Sequence, residues 1–122
     1  MSHKALVNII EKVKIYGADG KAMLIEAKID TGARRSSIDL ELAEKLGLLH
    51  EENIDYYKPF RSALGKQERP IFTVVFEMAG KKIESKVSGA DRTKMNFDMI
   101  IGRMDLVDFL IQYDPTLEPE KI

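Results

Sequence analysis

Asp30-Thr31-Gly32-Ala33 ends an apolar run and leads into Arg34-Arg35-Ser36-Ser37-Ile38. An aspartate on a tight turn just past a strand is a carboxylate held out for chemistry by its own backbone. Two such carboxylates brought together can hydrolyse a peptide. One accepts a proton from water while the other donates one to the substrate carbonyl. Close carboxylates cannot both ionise cheaply, so the pair shares a proton and titrates as a unit. The chain carries this motif once, so the chemistry requires two copies of the chain. Gly32 lets backbone approach without a Cβ in the way. The Thr31 hydroxyl is suited to bond across and stiffen the turn. The competing reading of the tripeptide is an ordinary polar turn; the strand before it and Ser36-Ser37-Ile38 after it favour the functional one. A second signal, Met99-Ile100-Ile101-Gly102-Arg103, lies far downstream.

The elements that must position these residues are mostly strands. Residues 6–15 alternate, with Val7, Ile9, Val13 and Ile15 on one face. Gly17-Ala18-Asp19-Gly20-Lys21 is a turn cluster, and residues 22–29 alternate again through Met23, Ile25, Ala27 and Ile29. Two period-two runs around a Gly-rich turn predict a β-hairpin. Asp30 then falls in phase with Leu24, Glu26 and Lys28, opposite the apolar row. Residues 39–47 predict a short helix with Asp39 as N-cap and Gly47 as its stop, its polar face being Glu41, Glu44 and Lys45. Residues 71–78 predict a strand, Ala79-Gly80-Lys81 a turn, and Ile83, Ser85 and Val87 a returning strand. Phe97 to Ile101 predicts another strand, Met104 to Phe109 about two helical turns, and Leu110 to Tyr113 a last strand. The expectation is a mainly all-β, barrel-like single domain over 1–122, with one or two short helices and a tail from about 115.

Composition narrows the function classes. The chain has 122 residues, 44% of them hydrophobic, enough for an ordinary core. Nineteen Lys and Arg against 20 Asp and Glu give a net charge of −1, which argues against nonspecific nucleic-acid binding. Cysteine is absent, excluding disulfides and a thiolate nucleophile. Met1-Ser2-His3-Lys4 lacks a signal peptide's apolar core. No apolar stretch approaches the ~20 residues of a membrane-spanning helix, so a cytoplasmic location without membrane partners is expected.

Lys28-Ile29-Asp30-Thr31-Gly32-Ala33-Arg34 with Ser36-Ser37 resembles the retropepsin-like branch historically labelled ATP-dependent zinc proteases. Gly65, Arg69-Pro70, Asp91-Arg92, Met95, Met99-Ile100-Ile101-Gly102-Arg103 and Leu106 fit the same pattern. The resemblance spans about residues 22 to 110. It implies a closed-barrel, single-lobe aspartic protease fold and a homodimer with its active site at the subunit interface. It implies Asp30 as the catalytic carboxylate, Thr31 as a cross-dimer hydrogen bond, and Gly32 and Ala33 as support flanking the substrate. It implies a structural role for Gly102 and Arg103, tying the following helix to the active-site turn or to the partner. Functional association with an ATP-grasp ligase is family context. The zinc label finds no support in these residues, since His3 and His50 are the only histidines and a catalytic zinc generally takes at least three His, Asp, Glu or Cys ligands. His50 reads as a solvated loop residue. No phosphate-cradling Gly-x-x-x-x-Gly-Lys loop is present, so no cofactor is expected.

Retroviral proteases usually carry acidic residues directly after the turn; here those places hold Arg34 and Arg35. Guanidinium groups there favour substrate carboxylates by bidentate pairing, so acidic peptides are expected, with Arg61 or Lys58 assisting. The alternative is that one arginine pairs with a local acid such as Asp39 and the other is solvated. Asp91-Arg92 reads as a structural ion pair. A substrate cover, the most open expectation, is placed within residues 56–69, with a plain surface loop as its alternative. The rival to an enzyme is a noncatalytic peptide- or protein-binding module on the same fold.

Overall fold

A computed structural model describes residues 3–62 and 65–117. Period-two alternation sets its architecture. The hairpin predicted around the Gly17–Lys21 turn is formed by β2 (Ile10–Tyr16) and β3 (Ala22–Ile29), antiparallel with Val13 opposite Ile25. A single strand over residues 6–15 does not form. The chain bends at Ile9, whose carbonyl accepts the Ile29 N–H at 2.8 Å. β1 (Ala5–Asn8) therefore leaves the hairpin and pairs in parallel with β9 (Phe109–Gln112).

Asp39 ends the short strand β4 (Ser37–Asp39) and caps α1 (Leu40–Lys45), accepting the Leu42 N–H at 3.4 Å. Gly47, at φ +72°, stops the helix with its N–H on the Glu44 carbonyl. This is the left-handed conformation glycine adopts without a Cβ penalty. Glu41, Glu44 and Lys45 are exposed.

β5 (Ile54–Ser62) and β6 (Gly65–Met78) pair as long antiparallel strands where either a cover or a loop was expected; residues 63–64 lie outside the described residues. The predicted turn at Ala79 and Gly80 has both residues at positive φ, the two-residue geometry that matches strand twist. It leads into β7 (Lys81–Ala90). β8 is only Met99–Ile101, shorter than the expected run from Phe97.

The helix expected over 104–109 is a 3-10 turn at Arg103–Asp105, followed by a second turn in which the Phe109 N–H reaches the Leu106 carbonyl. Its first N–H groups are taken by the Asp30 turn, which sets the direction of the chain. Pro115–Leu117 is another 3-10 turn, and the end of the expected tail, residues 118–122, lies outside the described residues.

Strand order β2-β3-β8-β4-β7-β6, with β6 pairing back onto β2, closes a six-stranded barrel; β5 extends from β6 outside the ring. Alternation along β6 sends Phe72, Val74, Phe76 and Met78 inward, where they meet Val13, Ile15, Ile38, Val87, Met99 and Ile101. The mainly β, single-lobe barrel expected from the sequence is the observed fold. No helix among the described residues is long and apolar enough to cross a membrane.

Candidate active site

Asp30 directly follows β3 and is half-buried. β3 runs parallel to β8 with Ile29 opposite Ile101. The Asp30 N–H extends that ladder by one step, donating to the Ile101 carbonyl at 2.9 Å. The chain then reverses. The Ala33 N–H donates to the Asp30 carbonyl at 3.2 Å, and the Gly32 N–H donates to Asp30 Oδ1 at 2.9 Å. A Cβ on Gly32 would stand 3.1 Å from that oxygen, so glycine is the residue that lets the backbone hold the carboxylate. Thr31 is exposed.

The turn is clamped by the segment after β8. The Arg103 guanidinium donates to the Thr31 carbonyl at 2.8 Å. The Arg103 and Met104 N–H groups donate to the Ala33 and Arg34 carbonyls at 2.8 and 2.9 Å. These donors open a 3-10 turn and have no partners within it, so the clamp satisfies both sides. Gly102 makes the approach feasible: a Cβ there would lie 2.5, 2.7 and 2.9 Å from the backbone C, O and N of Arg35. Its N–H donates to Ser36 Oγ at 3.0 Å, and that fully buried hydroxyl donates to Asp105 Oδ2 at 2.5 Å. Sequence reading missed the Ser36–Asp105 link, whose ends are 69 residues apart. The signal available was the Ser36-Ser37 pair directly before Ile38, whose first hydroxyl meets the Gly102 N–H just ahead of β4.

Arg34 is exposed. Arg35 does not pair with Asp39; it donates to the Lys86 carbonyl at 3.0 Å and to the Tyr56 hydroxyl at 3.3 Å. Asp39 instead accepts the Arg92 N–H at 2.8 Å. The expected Asp91–Arg92 ion pair is replaced by two separate contacts. Asp91 accepts from the Thr93 hydroxyl and N–H, which hold its carboxyl below the ordinary aspartate range. Arg92 donates from Nε to the Phe97 carbonyl at 2.9 Å. Burial lowers the Arg92 guanidinium's proton affinity, while the carboxylates of Asp30, Asp39 and Asp98 raise it and Arg69 lowers it. Arg92 is thus a cation that feels the Asp30 carboxylate from the β7–β8 loop.

A cavity of about 260 Å³ opens between the turn and the β5–β6 hairpin. Ala33, Arg34, Arg35 and Ser37 line one wall; Lys58, Phe60 and Arg69 line the other. Arg61 is exposed on the hairpin opposite Lys66 and does not line this cavity. Among the described residues no three His, Asp or Glu side chains gather as a metal site, and His3 and His50 are exposed.

No family model matches the chain, and no curated protein matches it. Its fold is similar to a DUF785 protein of unknown function from Legionella pneumophila, with TM-score 0.60 and 19% identity over 97% of this chain and 98% of that one. It is also similar to the simian foamy virus protease, with TM-score 0.57 and 15% identity over 80% of this chain and 90% of the viral one. The fold is therefore that of a retropepsin-like barrel, and the similarity to a retroviral protease extends to the fold alone.

Proposed function

We propose that this chain is an aspartic endopeptidase that works as a homodimer, with water activated between the two Asp30 carboxylates. One observation carries the reading. On a barrel of the retropepsin kind, the sole Asp-Thr-Gly turn holds its carboxylate through the Gly32 N–H and is clamped from behind by Arg103. In the dimer one Asp30 takes a proton from water and the other protonates the scissile carbonyl, the shared proton setting their roles. Thr31 bonds across the interface. Gly32 and Ala33 offer backbone to the substrate. The arginines after the turn favour acidic peptides.

The β1–β9 pair supports the dimer. It is a two-stranded sheet, and its outer face carries exposed Leu6 and Leu110, directly paired. Apolar side chains on a short sheet that no further described strand extends favour addition of further strands.

The test pairs peptide cleavage with sedimentation of the Asp30→Asn protein. Cleavage is expected to vanish while the dimer persists. Turnover retained by Asp30→Asn refutes the mechanism. A strict monomer that binds peptides without cutting them indicates a binding module instead.

A further inference from the structure

The cavity beside the turn has an electrostatic peculiarity. Lys58 and Arg69 face each other directly in the β5–β6 ladder, and like charges in that arrangement repel. Both cations converge on one ring: Lys58 Nζ lies 5.8 Å and Arg69 Cζ 4.4 Å from the centre of Phe60. The ring's negative face offsets part of the repulsion. Arg69 has one further neutral partner, donating from Nε to Gln67 Oε1 at 3.2 Å.

The facing wall adds Arg34 and Arg35, and Arg92 is close enough to feel Arg69. Among the described residues no carboxylate lines the cavity. Four cations around about 260 Å³, with no acid among the described lining residues, form a site that favours an anionic ligand.

The four are not equivalent. Arg35 is engaged by the Lys86 carbonyl and the Tyr56 hydroxyl, which fixes it as part of the wall. Arg34 on the turn, with Lys58 and Arg69 on the hairpin, are the cations placed to grip. The cavity also has an apolar side formed by Ala33, Phe60 and Ile100. That combination suits a carboxylate carried on a short methylene stem.

We propose that this cavity is a carboxylate-binding subsite in which Arg34, Lys58 and Arg69 hold an acidic side chain of a bound peptide. That the ligand is a peptide rests on the protease reading; that the cavity takes a carboxylate does not. Arg69 becomes the specificity-determining residue, because it combines a planar fork for bidentate pairing with a ring that fixes its position. The cavity begins at Ala33, three residues beyond Asp30, so it receives a side chain near the scissile bond but not at it. Two-fold symmetry supplies a second copy of the subsite. Acidic residues are therefore favoured on both sides of the cleaved bond.

The test titrates the full chain with three uncleavable probes, followed by amide chemical shifts. N-acetylglutamic acid α-amide carries only a side-chain carboxylate, N-acetylalanine only a terminal one, and N-acetylglutamine amide neither. The first is expected to shift residues 33–37, 58, 60 and 69, and to bind about tenfold more weakly to Arg69→Gln, the loss typical of one charge-assisted pair. Lys58→Gln is expected to weaken it likewise, and Lys82→Gln, on the far end of β7, to leave it unchanged. Equal response to the glutamine probe, or an unaltered Arg69→Gln, overturns the subsite. Preference for N-acetylalanine overturns the side-chain assignment in favour of a chain terminus. In a parallel assay, peptides with glutamate on both sides of the bond are expected to be cut faster than their glutamine analogues. Absence of all cleavage alongside carboxylate binding counts against the protease reading alone.

Discussion

Gly102→Ala tests whether the Asp30 turn is held by close backbone packing. The φ of Gly102 is −88°, a value alanine adopts freely, so any effect is steric. The new Cβ meets the Arg35 backbone at 2.5–2.9 Å, and backbone on both sides cannot rotate away. Restoring ordinary contact moves β8 and the turn apart by about 1 Å. At that displacement the bonds from Gly102 N–H to Ser36, Arg103 N–H to Ala33 and Met104 N–H to Arg34, now 2.8–3.0 Å, pass beyond hydrogen-bond length. Losing three bonds at about 1 kcal/mol each, with overpacking of about 1–2 kcal/mol, gives a destabilisation of about 4–5 kcal/mol. At about 2.1 cal/mol/K per residue over 122 residues, Tm falls by about 16–20 °C. Thermal unfolding measures this, and hydrogen exchange at Arg103 and Met104 locates it. Gly80→Ala serves as contrast: nothing lies within 4 Å of its added Cβ, and only the positive φ opposes it, at about 1 kcal/mol. If Gly102→Ala costs no more than Gly80→Ala, the clamp is not what holds the turn.

Three aspartates away from the turn, Asp39, Asp91 and Asp114, carry measurable stability of their own. Asp39→Ala removes both the α1 cap and the acceptor for the Arg92 N–H, so denaturant unfolding should show a loss of about 2–3 kcal/mol; Asp39→Asn should recover only part of it, because its single amide oxygen replaces one of the two acceptors. Asp91 and Asp114 titrate below their ordinary range because Thr93 and Thr116 favour the ionised forms. A carboxyl lowered on folding adds stability above the unfolded titration range and loses it as pH falls through the folded one. Acidification below about pH 4 should therefore lower Tm, and replacing both threonines by valine should make that decline shallower.

Where the sequence was readable, local rules and tertiary packing agree. The 10–29 hairpin, the Asp39–Gly47 helix limits and the Ala79-Gly80 turn rest on periodicity and on residues with narrow backbone preferences, and all three form. Residues 104–109 look helical by apolar spacing, yet their opening N–H groups serve carbonyls 70 residues earlier in the chain, a demand no local pattern reveals. Ile9 breaks the alternation for the same kind of reason: its carbonyl serves Ile29. Asp30 and Gly32 could be singled out because the turn's chemistry restricts their types, and Arg103 because of the family resemblance. On the second wall of the cavity the sequence offers Lys58 as an assisting cation, but not its place beside Phe60 and Arg69. Lys58, Phe60 and Arg69 meet only because the β5–β6 register sets Lys58 against Arg69, and register is not written in composition.

Peptide hydrolysis by this route needs two aspartates from two chains to meet. A crystal structure of the protein as it assembles in solution measures the gap between them directly. The expected result is one two-fold dimer with Asp30 oxygens of the two subunits facing each other at about 3 Å, near enough to share a proton. An assembly whose Asp30 carboxylates lie on separate surfaces, each surrounded by bulk water, contradicts it.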